Sequence, residues 1–429
     1  MACAPLGTTH IEENEMHTTK YTTRRHYGFT SPSRASRIHP RILSPLFTAM
    51  LTLLFAAAAQ AQSIDWVQKG TSLGSKSTGY LPRVASDGAS TGLGSSTISI
   101  YQTGTGFATF EYQAGQSYSL YDPELKWGAT PSTIDGEIGH EPSIAMTATG
   151  EYGIYNDLVF EAHQGGQDNG AELWYRAGQG SYGIESYPVN LTWAGAHSYD
   201  TGFNPAVALD QSSTLSQQPT IVEVHQAASS ASTIWYHVGH ITAGSSTPSV
   251  SLNGSHSTGF VGYAPTVTVS GNLAILAMQG ADSQGTGGAL LYSIGQVQIS
   301  ASTGDPTGEI AWGPLTKYDN GYNPSVSLAL QYDTDALWVL VEAHQEDGGT
   351  GPLWYRIGYL NLGSTGSNPT SIAWQKNPSN NSVATEYDES GCYPSVAQTY
   401  FNGLWNVVET NSKTCGEASG IESWFGNFE

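Results

Sequence analysis

From Ser63 onward the apolar positions fall in short runs rich in β-branched and aromatic residues, each bounded by Gly, Asn, Asp or Pro. Runs of that kind read as β-strands with turn chemistry at both ends. The clearest stretch spans Tyr318 to Trp374, where YDNGYNPSVSLAL, LWVLVEAHQ, GPLWYRIGYL and SIAW follow in series. Four such runs predict a four-stranded antiparallel sheet. The order recurs along the chain, marked by the proline that opens the first strand: Pro82, Pro142, Pro205, Pro265, Pro324 and Pro394, spaced 60, 63, 60, 59 and 70 residues apart. Six copies of a sheet that cannot bury both faces alone predict an all-β chain, a six-bladed β-propeller whose neighbouring blades cover one another. No helical period of useful length interrupts residues 63–429.

The two ends of the pattern fit together. Fourth strands end in Trp127, Trp193, Trp312 and Trp374, with Leu252 in the third copy, whereas the sixth copy stops after the run Ser423–Phe428. A spare SIDW, Ser63–Trp66, precedes the first copy. It is expected to complete the last blade and so remove the open edge of a linear array.

Residues 1–62 follow another pattern. Arg24, Arg25, Arg34, Arg37 and Arg41 precede an apolar run, Leu46–Ala59, and then Ala59-Gln60-Ala61. This reads as a secretory leader removed near Gln62, with 63–429 as the propeller domain. The apolar run is too short to span a membrane. The leader holds three of the 36 acidic and six of the 15 basic residues, leaving 33 against 9, a net charge of −24. That balance excludes nucleic acid and anionic membranes as partners. Cys3 lies in the leader, and Cys392 and Cys415 are expected to share one rim of the last blade and to form a disulfide in an oxidising compartment.

The chemistry-bearing residues recur with the blades. Blade two has FEAHQ (Phe160–Gln164) and LWYR (Leu173–Arg176), blade three VEVHQ and IWYH, and blade five VEAHQ and LWYR. Period two puts Glu161 with His163, Glu223 with His225, and Glu342 with His344 on one strand face. An antiparallel register that sets His344 opposite Trp354 also sets Glu342 opposite Arg356, and in blade two His163 with Trp174 implies Glu161 with Arg176. A charge-assisted carboxylate–guanidinium pair is the expectation. Trp235 holds the matching place in blade three. Asp200 and Asp319 enter from the preceding loops, where blade two has Asp135 and Glu137 and blade six Tyr387-Asp388. Blade one is read as degenerate, with Phe110, Glu111, Tyr112 and Gln113 in place of Glu-x-His-Gln. Blade four has lost the loop acid, Glu, His, Trp and Arg together, so the set behaves as a unit.

Two readings stay open for this set. One is a buried polar network that locks each blade. The other is an inter-blade pocket in which Trp walls a sugar ring while Glu, His and Arg meet its hydroxyls. No third ligand at a defined spacing joins Glu-x-His, so no metal or other cofactor is expected. Hydrolase, metalloprotease and phosphate-loop motifs are absent, as is the sialidase Ser-x-Asp-x-Gly-x-Thr-Trp box.

The pattern Gly-x-Asn-Pro-Ser-Val-Ala, Val-Glu-Val-His-Gln, Leu-Trp-Tyr-Arg-x-Gly, Ile-x-Trp resembles propeller repeats of secreted bacterial proteins, some of which adjoin a phosphatidylinositol phospholipase C-like domain whose activity is not carried over. More loosely, the architecture is similar to six-bladed fucose-binding lectins, which implies sugar contacts at Glu161, Trp174 and Arg176 and at Glu342, Trp354 and Arg356, with His237 standing in place of Arg in blade three. The expected function is a secreted, non-catalytic binding module for a glycan. A scaffold for a cell-surface protein is the alternative, and a hydrolase or lyase acting in the central funnel is the third reading.

Overall fold

The computed structural model describes residues 63–73, 78–88, 95–118, 124–149, 155–165, 172–182, 191–210, 218–281, 288–332, 336–346, 351–361, 369–376, 382–401 and 404–428. The leader reading over residues 1–62 and the side chains of Asp135 and Glu137 lie outside them. All regular structure among the described residues is strand.

Strand β1 (Ile64–Ser72) leads the chain, followed by β2 (Thr78–Ser86), β3 (Ser95–Gln102), β4 (Ala108–Tyr118) and β5 (Glu124–Trp127), which pair antiparallel in that order as unit one. Unit two repeats the order with β6 (Ser132–Thr149), β7 (Tyr155–Gly165), β8 (Glu172–Tyr182) and β9 (Leu191–Trp193). In unit three a short β10 (His197–Thr201) precedes β11 (Phe203–Leu209), β12 (Thr220–Gln226), β13 (Ser232–Thr242) and β14 (Ser249–Leu252). Unit four comprises β15 (His256–Ser270), β16 (Leu273–Gly280), β17 (Gly288–Ile299) and β18 (Pro306–Trp312), and unit five β19 (Thr316–Tyr332), β20 (Ala336–Gln345), β21 (Gly351–Asn361) and β22 (Ser371–Trp374). The last unit, β23 (Thr385–Phe401), β24 (Leu404–Ser412) and β25 (Ser419–Phe428), takes β1 as its outer strand, with Trp66 opposite Gly426 and its ring 5.9 Å from that of Trp424.

Unit one departs from the sequence reading. Phe110–Gln113 belong to the third strand, β4, and the second strand is β3, which places Ser99, Tyr101 and Gln102 where later units have Glu, His and Gln. With no acid or histidine in β3, the sequence offered no landmark there.

Second strands are buried on both faces, as their nearly continuous apolar runs imply. In β20, Val339, Val341 and Ala343 face the last unit, while Leu340 packs back on unit four. Comparable clusters fill each junction, and one containing Val84, Leu125, Val408 and Phe425 joins the last unit to the first. The first strands contact one another in sequence, β2 to β6, β11, β15, β19, β23 and back to β2. Hydroxyls stitch that inner ring: Ser143, Thr268, Ser325 and Ser395 accept the amides of Val207, Leu328, Val396 and Val84 at 2.9–3.1 Å. Cys392 and Cys415 form a disulfide, with Cα atoms 5.3 Å apart.

Each landmark proline follows a residue in the left-handed region: Leu81, Glu141, Asn204, Ala264, Asn323 and Tyr393, at φ between 41° and 57°. That conformation costs a non-glycine residue about 1–2 kcal/mol. The Gln ending the second strand of the preceding unit offsets the cost by accepting the amide in question, Gln102 from Glu141 at 2.9 Å, Gln226 from Ala264 at 2.8 Å and Gln345 from Tyr393 at 3.1 Å. The Gln of the VEAHQ run is thus a latch between units, a role the sequence reading did not assign.

Candidate functional site

The stretch leading into each first strand crosses a junction. In β19 it pairs with β17 of unit four, Asp319 opposite Leu290, yet its side chains reach unit five. Tyr318 donates its hydroxyl to Glu342 Oε1 at 2.9 Å, and Glu342 accepts from His344 Nδ1 at 3.0–3.1 Å. His344 Nε2 lies 3.5 Å from Asp319 Oδ2. Arg356 closes the circuit by donating to Asp319 and, at 3.2 Å, to the Tyr318 carbonyl. The expected register holds, with Glu342 opposite Arg356 and His344 opposite Trp354 in unit five, and Glu161 opposite Arg176 and His163 opposite Trp174 in unit two. The expected Glu342–Arg356 ion pair does not form, because the crossing segment brings Asp319 to the guanidinium and leaves Glu342 to His344 and Tyr318. Burial and the adjoining Glu342 carboxylate push the Tyr318 phenol well above its usual value.

Unit three builds the same circuit with His237 in place of arginine. Tyr199 donates to Glu223 at 2.9 Å, and Glu223 holds His225 Nδ1 at 3.1–3.2 Å. His237 Nδ1 lies 2.8 Å from the Asn253 carbonyl. His237 Nε2 lies 2.9 Å and His225 Nε2 3.7 Å from Asp200 Oδ2. Burial works against the charged form of His225, but the Glu223 carboxylate, with Asp200 beyond it, carries its pKa above the usual value. Burial likewise opposes the Asp200 charge, yet the Thr201 amide and His237 hold its carboxyl below the usual range.

The other units vary the theme. In unit two, His163 Nδ1 meets Glu161 at 3.0 Å and Arg176 sits opposite, half-buried. In the last unit Glu409 takes the Glu place, Asn411 the His place and Trp424 the Arg place, since Glu409 lies opposite Trp424. With Trp424 in place of a cation, burial pushes the Glu409 carboxyl well above its usual range, against the opposing effects of Tyr387 and of the bond donated by Asn411. Unit four substitutes an apolar set, Leu276 and Met278 with Phe260 and Leu291 packed against them.

The three Glu-x-His pairs are buried, Glu161, Glu223 and Glu342 at 0 % exposure. Trp174, Trp235 and Trp354 are half-buried, and Trp174 Nε1 reaches Glu172 at 3.3 Å. Around Arg356 the free space is about 10 Å³. Unit three differs: Asp200 and His237 open onto a cleft of about 570 Å³ walled by Tyr175, Tyr199, Asn253 and Ser255.

A second cavity, of about 250 Å³, lies inside the ring of first strands. At the position after each landmark proline it is lined by Ser143, Ala206, Thr266, Ser325 and Ser395, but by Arg83 in unit one. Loss of water contact pulls the Arg83 guanidinium below its usual value, and Glu141 and Tyr393 oppose that pull. The sequence reading passed over Arg83, although it is the one long side chain at a position otherwise held by small residues.

No protein-family model and no curated protein sequence matches the chain. Solved structures align with it at low identity. The fungal lectin from Aleuria aurantia, described as a six-bladed β-propeller with a fucose recognition mode, shares 11 % identity over 82 % of this chain and 96 % of its own at a TM-score of 0.46. The parainfluenza virus 5 hemagglutinin-neuraminidase ectodomain shares 7 % over 90 % of this chain and 94 % of its own at 0.49. Trypanosoma rangeli sialidase in complex with sialic acid shares 11 % over 86 % of this chain at 0.40, and the chain spans 59 % of that protein's length.

Proposed function

We propose that the chain is a secreted six-bladed β-propeller that binds a glycan without catalysis, through the cleft beside unit three. The sets of four paired strands, the apolar cluster joining the last unit to the first and the pairing of β1 with β25 support the propeller reading. The disulfide supports an oxidising destination. The observation that carries the binding reading is the cleft, where the polar circuit meets solvent between two tyrosines. A sugar ring has an apolar face for Tyr175 and hydroxyls for Asp200, His237 and Asn253. In this reading the buried residues of units two and five frame the junctions, and the contacts fall to unit three.

The test is calorimetric titration with the best ligands from a glycan array. Tyr175→Ala, checked for an unchanged near-ultraviolet spectrum, is expected to weaken binding at least tenfold, while Arg356→Lys in unit five leaves it unchanged. Equal affinity in Tyr175→Ala and wild type would remove the cleft from consideration.

A protein partner is the second reading, favoured by three exposed apolar side chains, Phe107 just before β4, Ile138 within β6 and Val261 within β15. Among the described residues lining the central cavity Glu141 is the one carboxylate, which speaks against a two-carboxylate hydrolase there.

A further inference from the structure

We propose that Asp200, His225 and His237 form a binding site for a divalent transition-metal ion, zinc by preference, at the base of the unit-three cleft.

Three observations lead there, beginning with the histidine hydrogen bonds. His237 has an acceptor on each side, the Asn253 carbonyl 2.8 Å from Nδ1 and the Asp200 carboxylate 2.9 Å from Nε2. A neutral imidazole donates from one nitrogen only, so whichever tautomer it takes, one lone pair faces an acceptor. A second proton or a metal ion at Nε2 removes the conflict. His225 shows the same arrangement, its Nδ1 held by Glu223 and its Nε2 directed at Asp200. Metal-ligating histidines are oriented in this way, the far ring nitrogen donating to a carboxylate or a backbone carbonyl.

The second observation is spacing. One ligand atom from each of the three residues lies within 4.8 Å of the others. Ligands about 2.0–2.1 Å from a tetrahedral zinc stand about 3.3 Å apart. The separations of 2.9 Å and 3.7 Å from Asp200 Oδ2 bracket that value. The cleft leaves the fourth position to water, and two nitrogens with one oxygen suit zinc and its neighbours better than calcium or magnesium.

Charge supplies the third. In unit five the fixed cation Arg356 is paired with Asp319, and Glu342 holds the register position opposite it. Unit three keeps both carboxylates, Glu223 and Asp200, and has histidine where the guanidinium was. A divalent ion supplies the missing positive charge.

The test uses the ion alone, so it stands apart from the glycan reading. Protein stripped with chelator is titrated with Zn²⁺ by calorimetry and with Co²⁺ by visible absorption. The expected result is one ion per chain, an intense cobalt band of tetrahedral character, and affinity that falls more than tenfold between pH 7.5 and pH 5.5 as protons compete with the ion for its ligands. His237→Arg installs the unit-five solution and is expected to fold and to abolish the band. Asp200→Asn, a second variant should the first fail to fold, is expected to weaken zinc binding at least tenfold. No cobalt band in the wild type, or a band unchanged in a folded variant, overturns the proposal in favour of a doubly protonated His237 paired with Asp200.

Discussion

Glu409 shows what one side chain does when its counter-ion is taken away. It occupies the place of Glu223 and Glu342 but faces Trp424 and Asn411, fully buried. Its carboxyl is raised well above the ordinary 4.5 by burial, with Tyr387 and Asn411 opposing and Asp388 and Glu422 adding to the rise. Below the ordinary value both folded and unfolded chains hold the proton, and there is no penalty. As the pH climbs from there through the raised folded value, the unfolded state ionises first and stability falls. Glu409→Gln is therefore expected to match wild type near pH 4 and to melt a few degrees higher at pH 8, as thermal scans across that range can show. Residue pairing was legible where register alone decides it, as for Glu161 with Arg176. The bond that Arg356 donates to Asp319 was not, because it depends on where a crossing segment lands. His237 was read as a lost arginine, when its place between Asp200 and Asn253 gives it chemistry of its own.

At the scale of the strand pair, units four and five are alternative solutions to one junction. Unit five meets its neighbour with Tyr318, Asp319, Glu342, His344 and Arg356, unit four with Leu276, Met278 and Phe260. Removing one member of a buried ionic set strands the rest and costs about 3–5 kcal/mol, whereas replacing the whole set by apolar residues is often neutral. Arg356→Ala is expected to lose stability on that scale in denaturant titrations. Adding Asp319→Gly, Glu342→Leu and His344→Met to it should recover at least half of the loss. A cumulative decline instead would mean that the circuit holds the junction by more than charge balance. The sequence revealed that the set is lost as a block in unit four, but it misplaced unit one, where β3 has neither acid nor histidine to mark it.

For the whole molecule the decisive element is β1. It covers the edge of β25 from Ile64 to Ser72, and Trp66 packs against Tyr355, Tyr387 and Trp424. This pairing was readable from the chain because the last unit lacks a Trp-ended fourth strand and the surplus one lies at the other end. Deleting residues 63–72 bares a long edge of unpaired amides and carbonyls. The shortened protein is expected to elute as oligomers in size-exclusion chromatography, and a synthetic peptide of residues 63–72 added during refolding should restore the monomer fraction. The Thr71–Ser423 hydrogen bond joins positions 352 apart in the chain. Strand β1 therefore has no partner until almost the last residue has been made, and contacts so distant along the chain form slowly. The edge of β25 stays uncovered until the whole chain is available to fold back on it.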